Sequence, residues 1–103
     1  MAAQKRKSKK RTVKPDKNIV ASIADDFRKK LLKLVNQGIK DLTLDLTDVD
    51  MVDSVGLGIF IAAHNSMEDV GGKLKIINVS KDIYDLVHMM RLDRHFEVSM
   101  GSK

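Results

Sequence analysis

Apolar residues recur along this chain at spacings of three and four in some stretches and at every second residue in others. Ile23, Phe27, Leu31, Leu34 and Val35 follow the first rhythm, with Arg28, Lys29, Lys30 and Lys33 between them. That pattern predicts a helix with one buried face. Ser22 reads as its N-cap, Asp25 and Asp26 as first-turn acids that suit the helix dipole, and Gly38 as its left-handed terminator. Leu42-Thr43-Leu44-Asp45-Leu46 follows the second rhythm and predicts a strand.

The alternation then repeats. After Asp48-Val49-Asp50-Met51-Val52-Asp53, Val55, Ile59, Ala62, Ala63 and Met67 return to near-helical spacing, from Ser54 as N-cap to the Gly71-Gly72 pair. Lys73 to Asn78 reads as a strand, Ser80 as the cap of a helix over Asp82 to Met90, and Phe96-Glu97-Val98 as a last short strand. Before the first helix, Thr12-Val13-Lys14-Pro15 and Asn18-Ile19-Val20-Ala21 offer two further short strands, with Pro15 at an edge or in a turn. Strands alternating with helices imply right-handed crossovers, so the class is α/β, a mostly parallel mixed sheet with helices packed on it.

Composition narrows the function classes. The 103 residues fit one domain plus a tail, and 43% hydrophobic residues suffice for its core. With three Phe, one Tyr and no Trp, platforms for stacking single-stranded nucleic acid are scarce. No cysteine is present, which excludes disulfides and thiolate chemistry and fits a cytoplasmic protein. The longest apolar run, Ile59 to Ala63, falls far short of the roughly 20 residues of a membrane span, and no signal-peptide segment is evident. The net charge of +5 is unevenly spread. Residues 1–18 hold eight Lys/Arg against one Asp, and the remainder is mildly acidic. Residues 1–11 read as a basic disordered tail and 12–103 as the domain. The tail permits contact with nucleic acid or anionic lipid, without any means of reading sequence.

Candidate chemistry centres on Asp53-Ser54-Val55-Gly56-Leu57-Gly58. Gly56 and Gly58 each cost a helix interior about 1 kcal/mol relative to Ala, so two of them in the first turns require a reason. One is space for another protein's loop beside Ser54, where amides and the helix dipole stabilise an anion such as a phosphate. The other is close packing of helix on sheet, with Ser54 only a cap. Serines at three predicted helix starts weigh towards the second. The Gly-Lys-Ser/Thr ending of a phosphate-binding nucleotide loop is missing. Asp45, Asp48, Asp50 and Asp53 lack the Gly and terminal Glu of a calcium loop, so a solvated acidic loop is preferred to a metal site. His64, His88 and His95 lack paired ligand spacing and suit surface or packing roles. For Met89 and Met90 core filling is the first expectation and a flexible partner surface the second.

Leu44-Asp45-Leu46-Thr47-Asp48-Val49, Val52 to Gly58, Gly71-Gly72-Lys73-Leu74-Lys75-Ile76 and Asn78-Val79-Ser80 together resemble the STAS domain of bacterial anti-sigma-factor antagonists, over roughly Ile19 to Val98. In that family an Asp-Ser-Ser/Thr-Gly-Leu-Gly motif opens the second helix, and a partner anti-sigma kinase phosphorylates its first Ser. The matching residue is Ser54, and Val55 replaces the second hydroxyl. The resemblance implies a regulatory protein without enzymatic activity or cofactor. It would bind an anti-sigma factor or serine kinase through Asp53, Ser54, Val55, Gly56, Leu57 and Gly58 and release it on phosphorylation. Val55, Leu57, Ile61 and Met67 are further candidates for that face. Asn18 to Ser22 departs from the family's Gly-x-x-Asp segment. The alternative is a phosphorylation-independent scaffold or subunit of a signalling or transport complex.

Overall fold

The computed structural model describes residues 9–101. Most of the basic tail, residues 1–8, therefore lies outside the described residues. Four strands and three helices alternate: β1 (Lys10–Val13), α1 (Ala21–Asn36), β2 (Asp41–Asp45), α2 (Ser54–Asp69), β3 (Lys73–Val79), α3 (Lys81–Met89), a 3-10 turn (Leu92–Arg94) and β4 (Glu97–Met100). The class is α/β, as the periodicity predicts. Strand order is β1-β2-β3-β4 and every described pairing is parallel, where the sequence allowed a mixed sheet.

Consecutive parallel strands that each step to the next position in one direction place their crossovers on one face of the sheet when the crossovers share a hand. Burial agrees. Leu42, Leu44 and Leu46 of the β2 segment and Leu74, Ile76 and Val79 of β3 are buried, with Leu42 level with Leu74 and Leu44 with Ile76. Thr43, Asp45 and Lys75 alternate with them outside the buried set. Phe27, Leu31, Leu34 and Val35 of α1 and Ile59, Phe60, Ala63 and Met67 of α2 close the same core.

Several local expectations shift. β1 begins at Lys10, two residues inside the segment read as tail, because its backbone pairs with β2 from Asp41 to Leu44. The expected strand at Asn18–Ala21 shrinks to a single parallel bridge, Ile19 to Val52. α1 starts at Ala21 after Val20, so Ser22 lies inside the helix and no acid stands in the first turn. Gly38 has φ +88 and follows the helix end as expected. Met89 and Met90 are exposed, not core, because α3 ends there and its buried face is carried by Ile83 and Val87.

Candidate functional site

The three serines are not equivalent. Ser80 caps α3, its Oγ accepting from the Ile83 amide. α2 is capped instead by Asp53, whose Oδ1 accepts from the Gly56 amide at 2.9 Å, and Ser54 is the first helical residue. The sequence could have yielded this: Asp is as strong an N-cap as Ser, and Asp53 stands three residues before Gly56 just as Ser80 stands three before Ile83. Ser54 is exposed at the helix start with its hydroxyl released from the cap.

Asp53 also reaches the neighbouring helix. Its Oδ2 accepts from the Ala21 amide at 3.0 Å, and α1 has no side-chain cap of its own. One carboxylate therefore serves the N-termini of both helices, in the field of two positive dipole ends. The hydrogen bond from Gly56 is the main cause holding the Asp53 carboxyl below its ordinary value of 3.8, with the Ala21 amide adding to it. The sign follows: the shared cap is complete above the ordinary value and is lost as pH falls through the lowered folded one. In an NMR acid titration the Ala21 and Gly56 amide shifts are expected to move together with a midpoint below 3.8, and Asp53→Asn should abolish the response. Separate midpoints would break the double-cap assignment.

The backbone leading into Ser54 is fixed from α1's side. Asn18 Oδ1 accepts from the Asp50 and Met51 amides at 2.8 and 3.1 Å, and the Ile19 amide donates to Met51 O at 3.1 Å. Sequence reasoning missed Asn18, because its partners are more than 30 residues away. This anchoring leaves Met51 56% exposed beside the helix start.

Within the predicted motif the structure divides the residues. A Cβ on Gly56 would stand 2.3 Å from Ile19 O and 2.7 Å from Val52 Cγ1, so this glycine permits close approach of helix and sheet. A Cβ on Gly58 would meet nothing within 4 Å. Leu57 and Met67 are core residues, 5% and 0% exposed, because both point under α2. Val55 and Ile61, 45% and 39% exposed, lie on its outer surface. Ser54, Val55, Gly58, Ile61 and Ala62 thus form one exposed face, and Gly56 and Leu57 support it from beneath.

The remaining candidates separate. Asp45 Oδ1 accepts from the Thr47 amide, the Thr47 hydroxyl and Asn78 Nδ2, and these bonds, Thr47's hydroxyl first, hold its carboxyl below the ordinary value. It thereby ties the carboxyl ends of β2 and β3. Asp48 lies 4.0 Å from Lys14. Among the described residues no three His, Cys, Asp or Glu side chains gather as a metal site. His64 packs against His95 and Phe96 with ring centroids 5.8 and 5.7 Å away, and His88 pairs with Asp93 at 2.8 Å. No described helix is long and apolar enough to cross a membrane.

The STAS domain pattern matches residues 2–102. The anti-sigma-B factor antagonist of Bacillus subtilis (strain 168) is 36% identical over 77 residues, 75% of this chain and 70% of that protein. Among solved structures, an anti-sigma factor antagonist from Mycobacterium paratuberculosis superposes with a TM-score of 0.79 at 20% identity, covering 89% of this chain and 78% of that one. The anti-sigma factor antagonist SpoIIAA in its unphosphorylated form does so at 0.69 and 16%, covering 92% and 82%.

Proposed function

This chain belongs to the STAS domain family, and on that premise we propose that it is a regulatory binding protein of the anti-sigma-factor-antagonist kind, switched by phosphorylation of Ser54. The observation that carries the reading is the exposed Ser54 hydroxyl at the start of α2, with Asp53 taking the cap in its place. Beside it, Gly58 leaves open space, and Met51 and Val55 offer apolar contact. The partner is an anti-sigma factor or serine kinase of that type, and the domain acts in the cytoplasm by binding, without catalysis or cofactor.

Charge explains why phosphate would release the partner. Residues 41–69, from β2 to the end of α2, contain seven Asp/Glu and no Lys or Arg. A phosphate of about −1.5 to −2 charge on Ser54 finds no cation in its own segment and stands next to the Asp53 carboxylate. In an interface with apolar contacts it must be desolvated, and a helix start already occupied by the Asp53 carboxylate offsets only part of that cost. The test is incubation with ATP and each anti-sigma factor of the encoding organism, with mass spectrometric mapping of phosphate. Modification is expected on Ser54. Ser54→Asp should weaken binding of the same factor at least about tenfold, equivalent to about 1.4 kcal/mol, with the fold intact by circular dichroism, whereas Ser54→Ala should retain it. Unweakened binding by Ser54→Asp would leave the scaffold reading.

A further inference from the structure

Histidines with no ligand spacing along the chain meet in the fold. His64 lies mostly covered on α2, its side chain 14% exposed, with Nε2 3.7 Å from Oε1 of Glu68 one turn further on. Its ring faces that of His95, at the entry to β4, with centroids 5.8 Å apart and planes tilted by 48°. Buried Phe96 packs against the same ring at 5.7 Å. Between them is a recess of about 70 Å³ bounded by Ile61, His64, Asn65, His95 and Phe96. About 10–15 Å³ of such space admits one water, so an ion with a bound water fits.

We propose that His64, Glu68 and His95 bind one zinc ion, which crosslinks α2 to the start of β4. Zinc takes imidazole nitrogen and carboxylate oxygen at about 2.0–2.2 Å in a tetrahedral array. Two imidazoles on one such ion hold their centroids about 5 Å apart, and an imidazole nitrogen and a carboxylate oxygen stand about 3.3 Å apart. Both observed pairs are wider than this by less than about 1 Å. The three groups do not close round one point as they stand, because both pairs share His64 and, among the described residues, no ion pair joins Glu68 to His95. Glu68 and His95 are exposed and can turn towards His64 without moving the core, whereas His64 is held against Phe96. Water completes the fourth position. Imidazole with carboxylate suits zinc better than magnesium or calcium, which prefer all-oxygen sets. His88 is the contrast, since it meets Asp93 at 2.8 Å and stacks on Tyr84 without a second imidazole beside it. The ion is structural and supplies no chemistry to Ser54, which stands ten residues away on α2, about 15 Å of helix rise.

Calorimetric titration of the full, untagged, EDTA-stripped chain with zinc chloride tests it, alongside NMR of the histidine ring protons. One zinc per chain is expected, with a dissociation constant below about 0.1 mM. The His64 and His95 ring protons should shift together while those of His88 stay in place. The melting temperature should rise with zinc and fall back on adding EDTA. His64→Gln, His95→Gln and Glu68→Gln should each weaken binding about tenfold or more. The last two change exposed side chains, so they carry the test if loss of the His64 ring loosens its packing on Phe96. Absence of heat and of shifts up to about 1 mM zinc overturns the proposal, as does an affinity that any one variant leaves within about twofold of the parent. A response centred on His88 overturns it as well. None of these measurements involves a partner, so their failure leaves the Ser54 reading standing.

Discussion

Gly56→Ala is expected to destabilise the fold by about 1–3 kcal/mol, a large share of the about 5–15 kcal/mol typical of a domain. The added methyl would stand 2.3 Å from Ile19 O, and backbone cannot swing aside as a flexible side chain can. Relief requires α2 to lift from the Ile19–Val52 bridge, and lifting its Asp53 cap lengthens the bond from the Ala21 amide. Fold stability and site geometry should therefore fail together. Gly58→Ala is the contrast. Its Cβ meets open space, so in a helix interior it should stabilise by about 0.5–1 kcal/mol. Urea unfolding of both variants checks the pair, and equal effects at the two glycines would refute the packing assignment. A Gly58→Ala chain that is more stable yet binds its partner less well would show that the bare backbone serves contact.

Phe60→Ala is expected to cost about 3–5 kcal/mol. Phe60 is the largest of the fully buried side chains, at 0% exposure, on the inward face of α2. Its removal takes away a large apolar surface and leaves a cavity that surrounding strands can fill only in part. A fall in the urea midpoint without a change in slope is the expected signature. A loss below about 1 kcal/mol would mean that the core between α2 and the sheet repacks freely, contrary to its burial pattern.

Both predictions turn on α2, where sequence and structure divide most sharply. Its existence, length and inward residues were legible because a helix on a sheet must present apolar positions at near-helical spacing. The adjoining strands were legible for the corresponding reason, since Leu42, Leu44 and Leu46 occupy one side of a pleat. The motif around Ser54 was legible as a motif. Its internal division was not, because Gly56 and Gly58 are identical residues two positions apart and differ only in what faces them. The cap was misassigned because Asp and Ser compete for the same role, and only the backbone position at Asp53 decides between them.

The sequence by itself determined the α/β alternation, the inward faces of the main helices and strands, and the resemblance centred on Ser54. These are local consequences of periodicity and residue chemistry. Only the tertiary structure decided that Asp53 caps two helices, that Asn18 fixes the loop before Ser54, and that Val55 and Ile61 face outward while Leu57 and Met67 do not. Each of these depends on a backbone group or surface brought close from a distant part of the chain. Folding sets such proximities, and spacing along the sequence cannot express them.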